Sequence, residues 1–127
     1  MRIDHVALWT QDLERLRSFY ERHFGATAGP KYENQEKQFS SYFLSFTSAA
    51  RLEIMQRVDV SEASSGERIG YAHLAFVVGS EADVDRFTQR LQDDGVPLVD
   101  GPRRTGDGYY ESVVLDPDGN RIEIAAG

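Results

Sequence analysis

The chain contains an internal repeat, and it repeats two ionisable residues along with the strands that carry them. Ile3-Asp4-His5-Val6-Ala7-Leu8 is matched by Tyr71-Ala72-His73-Leu74-Ala75-Phe76, and Arg51-Leu52-Glu53-Ile54 by Arg121-Ile122-Glu123-Ile124. His73 follows His5 by 68 residues and Glu123 follows Glu53 by 70, so the two copies differ by a small loop insertion, which a surface loop absorbs at little cost. A chain of 127 residues divided this way gives halves of roughly 60 residues, too small to bury much apolar surface singly. The expected architecture is therefore paired and related modules within one domain, residues 1–127.

Periodicity supplies the elements. Ile3 to Trp9 alternates as a strand does. Thr10 or Asp12 can cap a following helix, on which Leu13, Leu16, Phe19, Tyr20 and Phe24 form an apolar stripe that Gly25 ends. Strands are expected over Thr27 to Tyr32, Phe39 to Thr47 and Arg51 to Gln56. The second half repeats the order. A strand from Ile69 to Val78 precedes a helix started by Ser80-Glu81-Ala82-Asp83 and carrying Val84, Phe87 and Leu91. A short strand near Pro97 to Val99 leads into a glycine-rich loop, Gly101 to Gly108, and two further strands run from Tyr109 to Leu115 and on to Ala125. Each half reads as βαβββ, and the fold class is α+β. Module one covers about residues 1–57, a polar linker residues 58–68 and module two residues 69–127.

Strand parity decides where the repeated residues point. Val6 and Leu8 share a face, which leaves His5, Ala7 and Trp9 on the other; Leu74 and Phe76 oppose His73 and Ala75. Glu53 lies between Leu52 and Ile54, and Glu123 between Ile122 and Ile124. All four ionisable groups thus oppose the greasy face, which has a partner in the helix of each half. Two imidazoles and two carboxylates make a mixed nitrogen and oxygen donor set for one divalent ion: Ni, Co, Mn, Fe or Zn. Calcium prefers an all-oxygen shell. The chain has no cysteine, so thiolate ligands, thiolate nucleophiles and disulfides are excluded together.

The formal charge of −7 argues against a nucleic-acid or anionic-membrane partner. No run approaches the roughly 20 apolar residues that cross a bilayer, and the N-terminus has no signal-peptide core, so a cytoplasmic location is expected. His23, beside Glu21 and Arg22, is expected on the helix surface. Trp9 is divided between walling the cleft and ordinary strand packing, and Tyr109 and Tyr110 between a mobile lid and a plain hairpin entry.

On these two modules and four positions, with Asp12-Leu13-Glu14-Arg15 through Phe19-Tyr20 and Asp116-Pro117-Asp118-Gly119-Asn120-Arg121-Ile122-Glu123, the chain resembles the vicinal oxygen chelate superfamily over almost its whole length. That resemblance implies βαβββ modules around a metal cup, one divalent metal per site and a homodimer. It implies His5, Glu53, His73 and Glu123 as ligands, with Glu53 as the fourth that distinguishes glyoxalase I from fosfomycin enzymes and dioxygenases. It then implies isomerisation of a thiol–aldehyde adduct such as the glutathione–methylglyoxal hemithioacetal, by enediolate-type proton transfer with Glu123 or Glu53 as base. The same fold also serves epimerases, dioxygenases and non-catalytic drug-binding proteins. The chain departs from the bacterial glyoxalase pattern at two substrate positions, where Trp9 stands for an arginine and Arg57 for an asparagine. A basic loop residue, Arg104, matches the family pattern and is expected either to hold a substrate carboxylate or to stand in a solvated surface pair.

Overall fold

The computed structural model describes residues 1–62, 67 and 69–127. It divides into two compact units, Met1–Ala63 and Ser64–Gly127. Of the expected linker, residues 63–66 and 68 lie outside the described residues.

The first unit runs β1 (His5–Trp9), α1 (Leu13–Phe24), β2 (Thr27–Ala28), β3 (Tyr32–Asn34), β4 (Phe39–Ser45) and β5 (Arg51–Arg57). Asp12 is the residue that caps α1: its side chain accepts from the Arg15 amide at 3.0 Å, while Thr10 exchanges hydrogen bonds with the Asp12 backbone. Gly25 closes the helix at φ 64°, a left-handed position that suits glycine. The sheet order is β1-β5-β4-β2, with β3 also on β4; β1 and β5 are parallel and the other pairs antiparallel. Leu13, Leu16 and Tyr20 on α1 pack on Leu44, Leu52 and Ile54 of the sheet, all buried. Each such side chain contributes about 1.5–3 kcal/mol on burial.

The second unit repeats the plan with β6 (His73–Gly79), α2 (Glu81–Asp93), β7 (Leu98–Arg104), β8 (Tyr110–Leu115) and β9 (Arg121–Ala126). Ser80 and Asp83 form a reciprocal capping box at the start of α2. The sheet order is β6-β9-β8-β7, with β6 and β9 parallel. Val84, Thr88 and Leu91 face Ser112, Val114, Ile122 and Ile124, and the one polar pair in that buried layer is satisfied internally, Thr88 Oγ1 to Ser112 Oγ at 2.6 Å.

Two expected strands differ. The segment Thr27 to Tyr32 is not one strand, because Pro30 lacks an N–H and interrupts the ladder; Gly29 makes its own bond to the Phe43 carbonyl, and pairing resumes at Tyr32. Conversely, β7 continues through Gly101, Pro102, Arg103 and Arg104, which were expected in a loop. The strand survives there by shifting register twice against β8, between Leu98 and Asp100 and between Asp100 and Arg103. Gly101 sits at φ 77°, and a Cβ there would stand 2.5 Å from the Glu111 carbonyl oxygen. Gly101→Ala is therefore expected to destabilise the fold by about 2 kcal/mol or more in denaturant unfolding, since both the backbone region and the space reject a methyl. A variant as stable as the parent would show that β7 is built differently.

Candidate metal centre

The exposed side of the first sheet is organised in cross-strand rows. The register pairs His5 with Arg51, Ala7 with Glu53 and Trp9 with Met55. Across β4 it pairs Glu53 with Phe43, Met55 with Ser41 and Arg57 with Phe39. Directly opposed residues share a face, so His5 and Glu53 are diagonal neighbours. His5 Nε2 lies 3.6 Å from Glu53 Oε2. The other ring nitrogen is engaged: Nδ1 donates to Asp4 Oδ2 at 3.0 Å, and Arg51 Nη2 donates to the same oxygen at 2.7 Å. Those two bonds, the His5 one foremost, hold the Asp4 carboxyl well below the usual carboxylate range. The bond to Asp4 turns the opposite nitrogen of His5 toward Glu53, the way a carboxylate orients a ligating imidazole. The edge of the His5 ring meets Phe43 at 5.1 Å between centroids, which limits its rotation.

The second sheet repeats this register residue for residue: His73 pairs with Arg121 and Ala75 with Glu123. His73 Nδ1 lies 3.1 Å from Glu123 Oε1. Both glutamates are mostly covered, with side chains 17% and 19% exposed, whereas His5 and His73 are near 40%. Two donors about 2.1 Å from one ion stand about 3.0 Å apart in octahedral geometry and 3.4 Å in tetrahedral. The separations of 3.6 and 3.1 Å therefore fit two adjacent ligands in each unit. Within either unit, among the described residues, no third histidine, aspartate or glutamate joins the pair to form a metal-holding group. Each unit brings one histidine and one glutamate together.

Sequence reading missed Glu111. It pairs with Ala125, which puts it on the Glu123 face one step along the sheet, with Arg103 opposite it on β7. Burial, and then repulsion from Glu123, raise its carboxyl above the usual range. The alternation of β8 contains this information, since Glu111 and Val113 oppose the buried Ser112 and Val114, but it is only informative once β8 is paired with β9.

The expected substrate contacts separate. Trp9 lies on the His5 face, 40% exposed, its ring edge-on to Phe39 at 6.2 Å, and the Arg57 guanidinium stands 4.9 Å over it. Arg104 lies elsewhere. It pairs with Tyr110, whose hydroxyl donates to Asp85 of α2, and its own guanidinium is bound to Glu81 in the first turn of that helix. It is thus on the helix side of the second sheet, beside an open cavity of about 580 Å³ lined also by Tyr109 and Gly108. The segment expected as a loop is the second half of β7, and two register shifts within it precede Arg104. His23 is also displaced from expectation: it is buried on the inner face of α1, one turn after Phe19, with the two rings 5.0 Å apart. Its spacing from Leu16 and Tyr20 places it on the apolar stripe, which outweighs its charged neighbours. Tyr109 and Tyr110 belong to the turn and strand joining β7 to β8, with Tyr109 held by hydrogen bonds to Thr105.

The chain is 30% identical to the lactoylglutathione lyase of Salmonella typhimurium, over 98% of this chain and 91% of that one. It is 27% identical to the metallothiol transferase FosB of Lysinibacillus sphaericus, over 98% and 82%. The solved structure of the trypanothione-dependent glyoxalase I of Leishmania major superposes with a TM-score of 0.78 at 25% identity, covering 99% of this chain and 86% of that one. The family model described as Glyoxalase/Bleomycin resistance protein/Dioxygenase superfamily matches residues 2–124. That match covers almost the whole chain, and the chain belongs to that superfamily.

Proposed function

We propose that the chain is a metal-dependent lyase of the glyoxalase I type, which moves a proton between adjacent carbons of a thiol–aldehyde adduct. The observation that carries this reading is the repeated register, which sets a histidine and a glutamate together on the exposed face of each sheet. His5, Glu53, His73 and Glu123 are the proposed ligands of one divalent ion, taken from Ni, Co, Zn, Mn and Fe because the donors are imidazole and carboxylate alone. A bound ion supplies Lewis acidity that stabilises charge developing on the substrate oxygens.

The chain's own residues do the rest. Asp4 holds the His5 ring so that Nε2 is the available donor. Glu53 and Glu123, each anchored beside an imidazole, are the carboxylates able to accept a proton from one carbon and return it to the next. Pairing of two chains, and the sharing of the four residues between copies, belong to the same proposal. Resemblance to a lactoylglutathione lyase over nearly the full length of both chains supports an adduct of glutathione as one substrate.

A second reading has its own support, since a FosB transferase is comparably similar. It would use three of these donors, His5, His73 and Glu123, to attach a thiol to an electrophile. Assays of metal-reconstituted protein on both substrates separate the two. The expected result is turnover of the glutathione–methylglyoxal adduct that a chelator abolishes and a divalent metal restores. Metal-loaded protein that is inert on the adduct but joins a thiol to fosfomycin would replace the lyase reading with the transferase one.

A further inference from the structure

The first sheet continues beyond His5 and Glu53, and what it carries there has no counterpart in the second. Ala7, Glu53 and Phe43 form one row; Trp9, Met55, Ser41 and Tyr32 form the next; Arg57, Phe39 and Asn34 form the third. Successive rows are about 7 Å apart along the strands. The second row presents aromatic surface, with Trp9 40% and Tyr32 55% exposed, and Phe39 meets both rings edge-on, at 6.2 and 6.0 Å. The third row adds a cation. Arg57 folds back over Trp9 and its Nε donates to Asp59, with the side chain 39% exposed. In the second sheet the position matching Trp9 is Val77 and the position matching Arg57 is Gly127.

We propose that Trp9, Tyr32, Phe39 and Arg57 form a subsite for the far end of the substrate, taking an apolar, preferably aryl, thioether that ends in a carboxylate. The inference rests on the reading that His5 and Glu53 belong to the reacting centre. A group attached there meets the aromatic row one step away, about 7 Å along the sheet. An anion beyond it meets the guanidinium that lies over the Trp9 ring. The chemistry of this shelf is selective. Flat apolar groups gain from stacking against the rings, and a carboxylate gains a charge-assisted bond from the guanidinium of Arg57. A polar peptide such as glutathione satisfies the second term and wastes the first.

Trp9 is the only tryptophan of the chain, so its fluorescence reports on this shelf alone. Three stable thioethers serve as probes with metal-loaded protein: 4-(methylthiomethyl)benzoate, benzyl methyl sulfide and S-methylglutathione. The expected result is saturable quenching by the benzoate, with binding about ten-fold weaker for the uncharged sulfide and about ten-fold weaker for the benzoate on R57Q, the effect of one charge-assisted hydrogen bond. S-methylglutathione is expected to bind more weakly than the benzoate. Equal affinity of parent and R57Q for the benzoate would overturn the proposal. So would Trp9 emission that ignores all three probes but shifts with protein concentration, because a second copy then covers the shelf. The readout needs no turnover. Benzoate binding without lyase activity leaves the shelf standing and removes the lyase reading; turnover of the glutathione adduct with Trp9 unresponsive does the reverse.

Discussion

Exchanging Glu123 for glutamine is expected to lower turnover of the adduct by about 10²–10⁴-fold, the range over which a positioned base contributes. Glutamine keeps the volume and one oxygen, so the strand geometry and the contact with His73 survive. What it loses is the negative charge and the ability to carry the proton. Glu53→Gln removes the same charge from the equivalent position beside His5, and the pair of variants is informative as a comparison. Both are expected to weaken metal binding, because each glutamate is one of the four proposed ligands and lies beside a histidine. The one whose turnover falls further at saturating metal is the base. If E53Q retains full activity and full metal affinity, the chemistry needs three ligands, and the transferase reading gains. Measuring kcat with metal in excess, alongside the metal affinity of each variant, separates the two roles.

Leu91→Ala is expected to destabilise the protein by about 2–5 kcal/mol, the cost of removing a fully enclosed leucine and leaving a cavity. Leu91 is completely buried on the inner face of α2, in the layer with Val84, Val114, Ile122 and Ile124. That helix face is what closes the greasy side of the second sheet, and the orientation of Glu123 depends on Ile122 and Ile124 staying beneath it. Denaturant unfolding should show a lower midpoint with an unchanged slope. A loss under about 1 kcal/mol would mean that the site relaxes freely, which a close-packed layer does not allow.

The parts of this structure legible in the sequence were those governed by local periodicity. Alternation in His5–Trp9 and around Glu53 and Glu123 placed each residue on the face where it is found, and Asp12, Gly25 and the Ser80 box marked helix ends as expected. The unread parts depend on pairing between strands. The matching registers of Ala7 with Glu53 and Ala75 with Glu123 arise from strand pairing, since the loops between the paired strands differ in length. The side on which Arg104 lies was not legible, because two register shifts intervene within β7 and no period-two count survives a bulge. Glu111 and Asp4 gain meaning only from their neighbours across the sheet. His23 was hidden by flanking charges, although its helical spacing from Leu16 and Tyr20 was present in the sequence.

Whether the two histidine–glutamate pairs hold a divalent ion is read from the metal stoichiometry of the protein. Protein stripped of metal, reloaded with nickel or zinc and freed of excess is predicted to retain about one ion per chain, one per four proposed donors, with the ion lost on replacing either histidine by alanine. Retention below about one-tenth of an ion per chain after reloading, or retention unchanged in His5→Ala and His73→Ala alike, would contradict the account.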